Sequence, residues 1–220
     1  MKYIKYLAIF TFSLILSGCL NYTQVTTLKI DGSGEMFIHY WMKVDLPNNS
    51  SIVENIGIFN SDSIKKVFDS KYLTIKNVEV YTDFADSTVH GKVEFSFSSI
   101  DSLNLIEAFE DADFSFRDGK EKTKVFSQTA HSFITGLGFE NQDLSIKYIY
   151  YIPGKILSHN ANVKENNKLT WEYNSKEINR DKKIEVVFVP YKLKETPVAI
   201  YYVSGLVFLI VVYFLFRKKK

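Results

Sequence analysis

Apolar and polar residues alternate with a two-residue period over much of the chain, and only short stretches break that rhythm. Residues 23–30 read as a first strand. It is closed by Asp31-Gly32-Ser33-Gly34, where glycine permits positive φ at little steric cost, so a hairpin is expected. In the second strand Met36, Ile38, Tyr40, Met42 and Val44 share one face, while Phe37, His39, Trp41 and Lys43 share the other. Leu46-Pro47-Asn48-Asn49 ends it. Ile52, Val53, Ile56 and Phe59 have rough helical spacing interrupted by Gly57. A clearer helix is expected after Ser61 as its cap, with Asp62 at the positive end of its dipole and a buried stripe of Ile64, Val67 and Phe68. Residues 71–83 and 87–98 return as strands, the second with Val93, Phe95 and Phe97 alternating against Glu94, Ser96 and Ser98.

A second helix is expected from Ser99 or Asp101, with Ile100, Leu103, Ile106 and Phe109 near one face. Residues 112–117 and 120–129 then form a hairpin about the two-residue turn Asp118-Gly119. From the second strand onward the order is β-α-β-β-α-β, which matches the split unit of ferredoxin-like folds. Residues 131–142 read as a loop, 144–152 as a strand broken by Pro153-Gly154, 155–166 as turns, 168–173 as a strand carrying Trp171, and 183–189 as a central strand, apolar on both faces. The expected fold class is therefore α+β, a mostly antiparallel sheet with two short helices, a possible ferredoxin-like core and one C-terminal transmembrane helix.

The ends follow different rules. Lys2 and Lys5 precede an apolar run over residues 6–16, too short for the about 20 residues a bilayer requires, and Leu16-Ser17-Gly18-Cys19 resembles a bacterial lipobox. On this reading residues 1–18 are a signal peptide, Cys19 takes a diacylglyceryl group and becomes the new amino terminus, and residues 19–196 are exported. Cys19 is the one cysteine, so no internal disulfide forms. Residues 197–216 contain a long uncharged run and read as a transmembrane helix, and the basic tail Arg217-Lys218-Lys219-Lys220 places the C-terminus in the cytoplasm by the positive-inside rule. The expected location is the outer face of a bacterial cytoplasmic membrane, with Cys19 and residues 197–216 as the contacts to membrane lipid.

Charge changes the picture of the exported part. The chain carries 27 basic and 25 acidic residues. Six of the basic ones (Lys2, Lys5, Arg217, Lys218, Lys219 and Lys220) lie in the targeting segments and none of the acidic ones do, leaving 21 basic against 25 acidic residues, a net −4. A mildly acidic domain is a poor match for nucleic acid. Its many Tyr and Phe favour packed β structure.

Several phrases together resemble the LppM-like family of bacterial lipoproteins with a C-terminal membrane anchor: Leu28-Lys29-Ile30-Asp31-Gly32-Ser33-Gly34-Glu35, Phe126-Ser127-Gln128-Thr129, and Tyr151-Ile152-Pro153-Gly154-Lys155 followed by Asn160 and Trp171. The resemblance spans most of the exported domain and implies a cell-envelope lipoprotein without established catalytic residues.

Candidate chemistry is sparse. His39, His90, His131 and His159 are far apart in sequence, and none has a second ligand at metal-binding spacing. Glu110, Asp111 and Asp113 form the densest acidic cluster but lack an EF-hand loop. Asp31-Gly32-Ser33-Gly34 lacks the Lys-Ser/Thr of a phosphate loop, and no Gly-x-Ser-x-Gly elbow occurs. Lys176, Arg180, Lys182, Lys183, Lys192 and Lys194 are offset by Glu177, Asp181, Glu185 and Glu195, which reads as a solvated face able to meet anionic headgroups. No cofactor, metal or catalytic residue is expected. The leading expectation is a non-enzymatic envelope protein that binds a lipid, a glycolipid or another envelope protein. The alternatives are a membrane-tethered enzyme acting on envelope polymers and a structural or regulatory subunit of a membrane complex.

Overall fold

The computed structural model describes residues 20–44, 57–130, 144–174, 177, 182–191 and 198–216, the last with side chains from Ile200 onward. The signal peptide, Cys19, the segment 45–56, the expected loop at 131–142, His131 and the basic tail lie outside the described residues. The chain divides into two units, residues 1–190 and 191–220.

The first unit is mostly β. Strands β1 (Leu20–Leu28), β2 (Gly34–Lys43), β3 (Leu73–Asp83), β4 (Thr88–Phe97), β7 (Leu144–Tyr151), β9 (Val163–Glu165) and β10 (Lys168–Asn174) build one sheet in the order β3-β4-β2-β1-β7-β10-β9. Strands β5 (Ser115–Asp118), β6 (Lys124–Thr129), β8 (Gly154–His159) and β11 (Lys183–Pro190) build a second, in the order β5-β6-β11-β8. Neighbours pair antiparallel except β1 and β7, which are parallel. The alternation expected in β2 holds: Met36, Ile38, Tyr40 and Met42 are buried. Helix α1 (Ser61–Val67) is capped by Asn60, one residue before the expected Ser61: the Asn60 side chain accepts hydrogen bonds from the backbone N–H groups of Asp62 and Ser63 at 3.0 Å each. So short a helix owes its stability to docking: Ile64 is buried, and Phe68 just beyond it packs against Phe95 and Phe109.

Three expectations of the fold class fail, which makes this a two-sheet β protein and not an α+β one. The ferredoxin-like core is half present. The neighbours β3-β4-β2 are those of the split motif, but the place beside β2 is taken by β1, joined through its hairpin, and β5 departs to the other sheet. The second helix is a run of 3-10 turns, Asp101–Leu105 and Glu107–Phe109. Its buried residues Ile100, Leu103, Ile106, Phe109 and Ala112 recur every third position, the period of a 3-10 and not of an α-helix; the Ile100 N–H bonds the Gly32 carbonyl, and each later N–H in that series bonds the carbonyl three residues back. Asn104 locks the run by bracketing the backbone of Phe114, donating to its carbonyl and accepting from its N–H, both at 2.8 Å.

The transmembrane helix is the third correction. Helix α2 (Val198–Phe216) forms, but among the described residues no helix is long and apolar enough to cross a membrane. Its nineteen residues rise about 28 Å, just under a hydrocarbon core of about 30 Å. Smaller departures follow from local geometry. The β5–β6 connection runs through Glu121 and Lys122 at positive φ and is longer than the two-residue turn expected at Asp118-Gly119. The expected turns at 155–166 include strands β8 and β9.

The two sheets of the first unit face each other across a core that is not purely apolar. The Tyr22 hydroxyl donates to Gln24 Oε1 at 3.1 Å, Gln24 Nε2 donates to the Tyr150 oxygen at 2.9 Å, and the Tyr150 hydroxyl donates to Gln128 Oε1. Gln24 and Tyr150 belong to the large sheet and Gln128 to the small one, so this chain ties the layers together. Burial pushes the Tyr150 hydroxyl well above its ordinary pKa, which keeps it a donor. Asn160 makes a second tie: Oδ1 accepts from Trp171 Nε1 on the large sheet and from Glu185 N on the small one, both at 2.9 Å. The Tyr148 hydroxyl, equally buried, has no partner among the described residues.

That contrast gives a paired prediction. Tyr150→Phe leaves Gln128 Oε1 without its donor and Gln24 Nε2 with the Thr26 hydroxyl at 3.2 Å in place of two acceptors, and should cost about 1–3 kcal/mol of stability. Tyr148→Phe removes an unmade bond and should be neutral or stabilising. Urea unfolding midpoints of the two variants check this, and equal effects would contradict it.

Candidate binding face on the large sheet

On the inner side, the large sheet is covered by the small sheet, α1 and the 3-10 turns. The residues that alternate away from that core form its outer face. Three strands bring its central part together: β2 and β4 pair Trp41 with His90 and His39 with Lys92, while β3 and β4 pair Tyr81 with His90 and Glu79 with Lys92. His39 and His90, 51 positions apart in sequence, thereby become diagonal neighbours.

Their rings make a hydrogen bond, with His39 Nε2 and His90 Nδ1 3.0 Å apart. The planes differ by 16° and the ring centres lie 5.2 Å apart. Centres so much farther apart than the facing nitrogens mean that the rings meet end to end, with a nitrogen lone pair aimed at an N–H. Tyr81 stacks on the face of His90, 4.6 Å between centres and 6° between planes, and Trp41 lies 6.1 Å away.

The direction of the bond follows from its far end. Thr88 Oγ1 donates to the Asp86 carboxylate, which has acceptors only. Its oxygen therefore accepts from His90 Nε2 at 2.7 Å. His90 must carry its proton on Nε2 and present a lone pair at Nδ1, so His39 donates from Nε2. The chain Asp86, Thr88, His90, His39 ends in a lone pair at His39 Nδ1. Burial lowers both imidazole pKa values, the neighbouring imidazole and Lys92 lower that of His39 further, and Lys92 also lowers that of His90, which favours the neutral rings. Asp86 and Asp83 oppose the shift at His90, and Glu79 opposes it at His39.

Beside this platform, Val25 of β1 lies opposite Phe37 on one side and Ile149 of β7 on the other, and Tyr151 adjoins them. Phe37 and Tyr151 are 36% and 37% exposed. The outer face thus joins flat aromatic rings and polar groups to an apolar strip, an arrangement that can hold a sugar ring by stacking and hydrogen bonding and an alkyl chain by contact.

The other residues singled out in the sequence take structural roles. Asp31 accepts from the Ser33 N–H at 3.0 Å and from its hydroxyl at 2.7 Å, which lowers the carboxyl pKa, and Gly32 turns the chain at φ 84°. His159 accepts from the Ala161 N–H at 3.1 Å. Glu110, Asp111 and Asp113 join no group of three or more His, Cys, Asp or Glu suited to a metal, and no such group occurs among the described residues. Lys176, Arg180, Lys192 and Lys194 lie outside those residues. Of the family-like phrases, Gln128, Asn160 and Trp171 are the inter-sheet ties. The expectation that the histidines stand apart is corrected for His39 and His90. The visible signal was that both sit among the outward residues of alternating strands; the strand register that joins them was not visible.

Because the folded pKa of both imidazoles is depressed, the unfolded chain binds more protons as the pH falls. Their contribution to stability is full above the ordinary imidazole pKa of about 6.5 and is lost on acidification through it. The urea midpoint should fall between pH 7 and pH 5.5, and His90→Gln should flatten that fall. An unchanged pH dependence in the variant would contradict the pairing.

No protein-family model and no curated protein matches the chain. A solved structure does: the NMR structure of the Mycobacterium tuberculosis LppM protein folded domain is similar at a TM-score of 0.52 and 14% identity, over 80% of this chain and 94% of that one. At that identity the likeness is one of fold, and the chain has a distantly LppM-like fold.

Proposed function

We propose that this protein is a non-enzymatic, membrane-associated lipoprotein of the bacterial cell envelope, anchored by acyl chains on Cys19, whose two-sheet domain binds a glycolipid on its outer face. The observation that carries the ligand is the composite face: Trp41, Tyr81 and the His39–His90 pair for a sugar headgroup, beside Val25, Phe37, Ile149 and Tyr151 for alkyl chains. The lone pair at His39 Nδ1 would accept from a sugar hydroxyl and the Lys92 ammonium would donate to another. The anchor rests on the order of basic head, apolar run and Leu16-Ser17-Gly18-Cys19. A diacylglyceryl group supplies two chains, and two chains hold stably where one is marginal. The membrane address therefore does not need a spanning helix. The LppM-like fold is consistent with an envelope lipoprotein.

Native mass spectrometry of the full chain, extracted from membranes in mild detergent, tests the ligand. A retained glycolipid mass is expected, lost in the Trp41→Ala/Tyr81→Ala double variant at an unchanged urea midpoint. Retention by the double variant, or a bare wild-type chain, would overturn the reading. For the anchor, Cys19→Ser should lose both the acyl mass and the incorporation of labelled palmitate, and an unmodified wild-type Cys19 would refute it.

A further inference from the structure

Among the described residues the large sheet has one long open edge. Strand β3 pairs with β4 on one side, and among the described residues nothing pairs with the other. The opposite edge strand, β9, is only three residues long. A row of unsatisfied N–H and C=O groups invites another strand, and proteins blunt such edges with bulges and lysines. Here both devices sit near the start of β3: the register slips between Ile75 and Asn77, and Lys76 in the bulge is held by Glu35 at 2.8 Å and Glu94 at 3.7 Å. Beyond the bulge, residues 77–83 pair one to one with β4, leaving roughly 20 Å of regular edge unguarded.

That edge continues into a groove. An open depression of about 580 Å³ lies between α1 and β3, lined by Lys65, Lys66 and Asp69 from the helix side and by Ile75, Lys76, Asn77 and Val78 from the strand. Its charge is positive, three lysines against one aspartate. Lys65 reaches Asp62 only at 3.7 Å, and Lys66 joins no ion pair among the described residues. Val78 and Val80, on the inner side of the strand, are only partly buried. An added strand would cover both.

We infer that β3 takes up an extended segment of a partner protein as an additional strand, with apolar side chains over Val78 and Val80 and an acidic side chain seated at Lys65 and Lys66. The backbone edge supplies affinity and the groove supplies selectivity, as in strand addition generally. The inference is independent of the glycolipid reading, since the edge and groove share neither Trp41 nor the His39–His90 pair.

The test uses the full chain in detergent micelles and a fluorescein-labelled peptide, Glu-Glu-Val-Thr-Val-Thr-Val, followed by fluorescence anisotropy. Two further peptides carry backbone N-methyl groups on the odd or on the even positions. Binding is expected for the parent and for one methylated peptide and not for the other, because a strand paired along one edge donates only every second N–H to its neighbour. Lys66→Glu, an exposed change, should weaken parent binding about tenfold, and amide exchange over residues 77–83 should slow when the parent is bound. No binding at millimolar peptide, or equal binding by both methylated peptides, would overturn the inference. So would protection of the β3 amides that grows with protein concentration in the absence of peptide, which would assign the edge to a second copy of this chain.

Discussion

The fold depends on hydrogen bonds that cross between its two sheets. Packed sheets usually adhere through apolar side chains that could slide, whereas here Gln24, Tyr150 and Gln128 form a buried chain that reaches from β1 and β7 to β6. In a low-dielectric interior such bonds are costly to leave unmade, so they fix how the layers sit against each other. Asn160 repeats the device near the edge, serving Trp171 on one sheet and the backbone of β11 on the other. With one face of the large sheet thus committed inward, the other is free to carry function.

That division explains what the sequence conveyed. Period-two alternation located most of the strands and assigned Met36, Ile38, Tyr40 and Met42 to the core, because burial on one face is a local pattern. Strand order is not local. Nothing in residues 20–28 says that β1 will displace β5 from the place beside β2, and the β-α-β-β-α-β succession is compatible with both outcomes. One misreading was avoidable in principle: Ile100, Leu103, Ile106, Phe109 and Ala112 repeat at three residues, and an α-helix would have drifted off that stripe within two turns. The apolar C-terminal run set an expectation of a span that the described helix does not meet.

The candidate site was legible only in its parts. His39 and Trp41 shared one face of the second strand and His90 alternated with the apolar residues of the fourth, whereas the bulge between Ile75 and Asn77 hid the face that Tyr81 takes. Their union required the register of β2, β4 and β3, which places residues 51 positions apart at hydrogen-bonding distance. The phrases that resemble LppM-like lipoproteins turned out to mark the frame instead. Gln128, Asn160 and Trp171 hold the sheets, and Asp31 to Gly34 turn the first hairpin. The outer face and the β3 edge are separate surfaces of one sheet.

Nitrogen-15 NMR of the histidine side chains, before and after addition of an envelope glycolipid, tests the outer face most directly. In the free protein at pH 7 both imidazoles should be neutral with the proton on Nε2, coupled through the shared hydrogen bond, and the His39 Nδ1 resonance and the Trp41 indole N–H should move as glycolipid is added. A His39 that is protonated or carries its proton on Nδ1, or a glycolipid that binds while both resonances stay fixed, would contradict the assignment of this face as the ligand site.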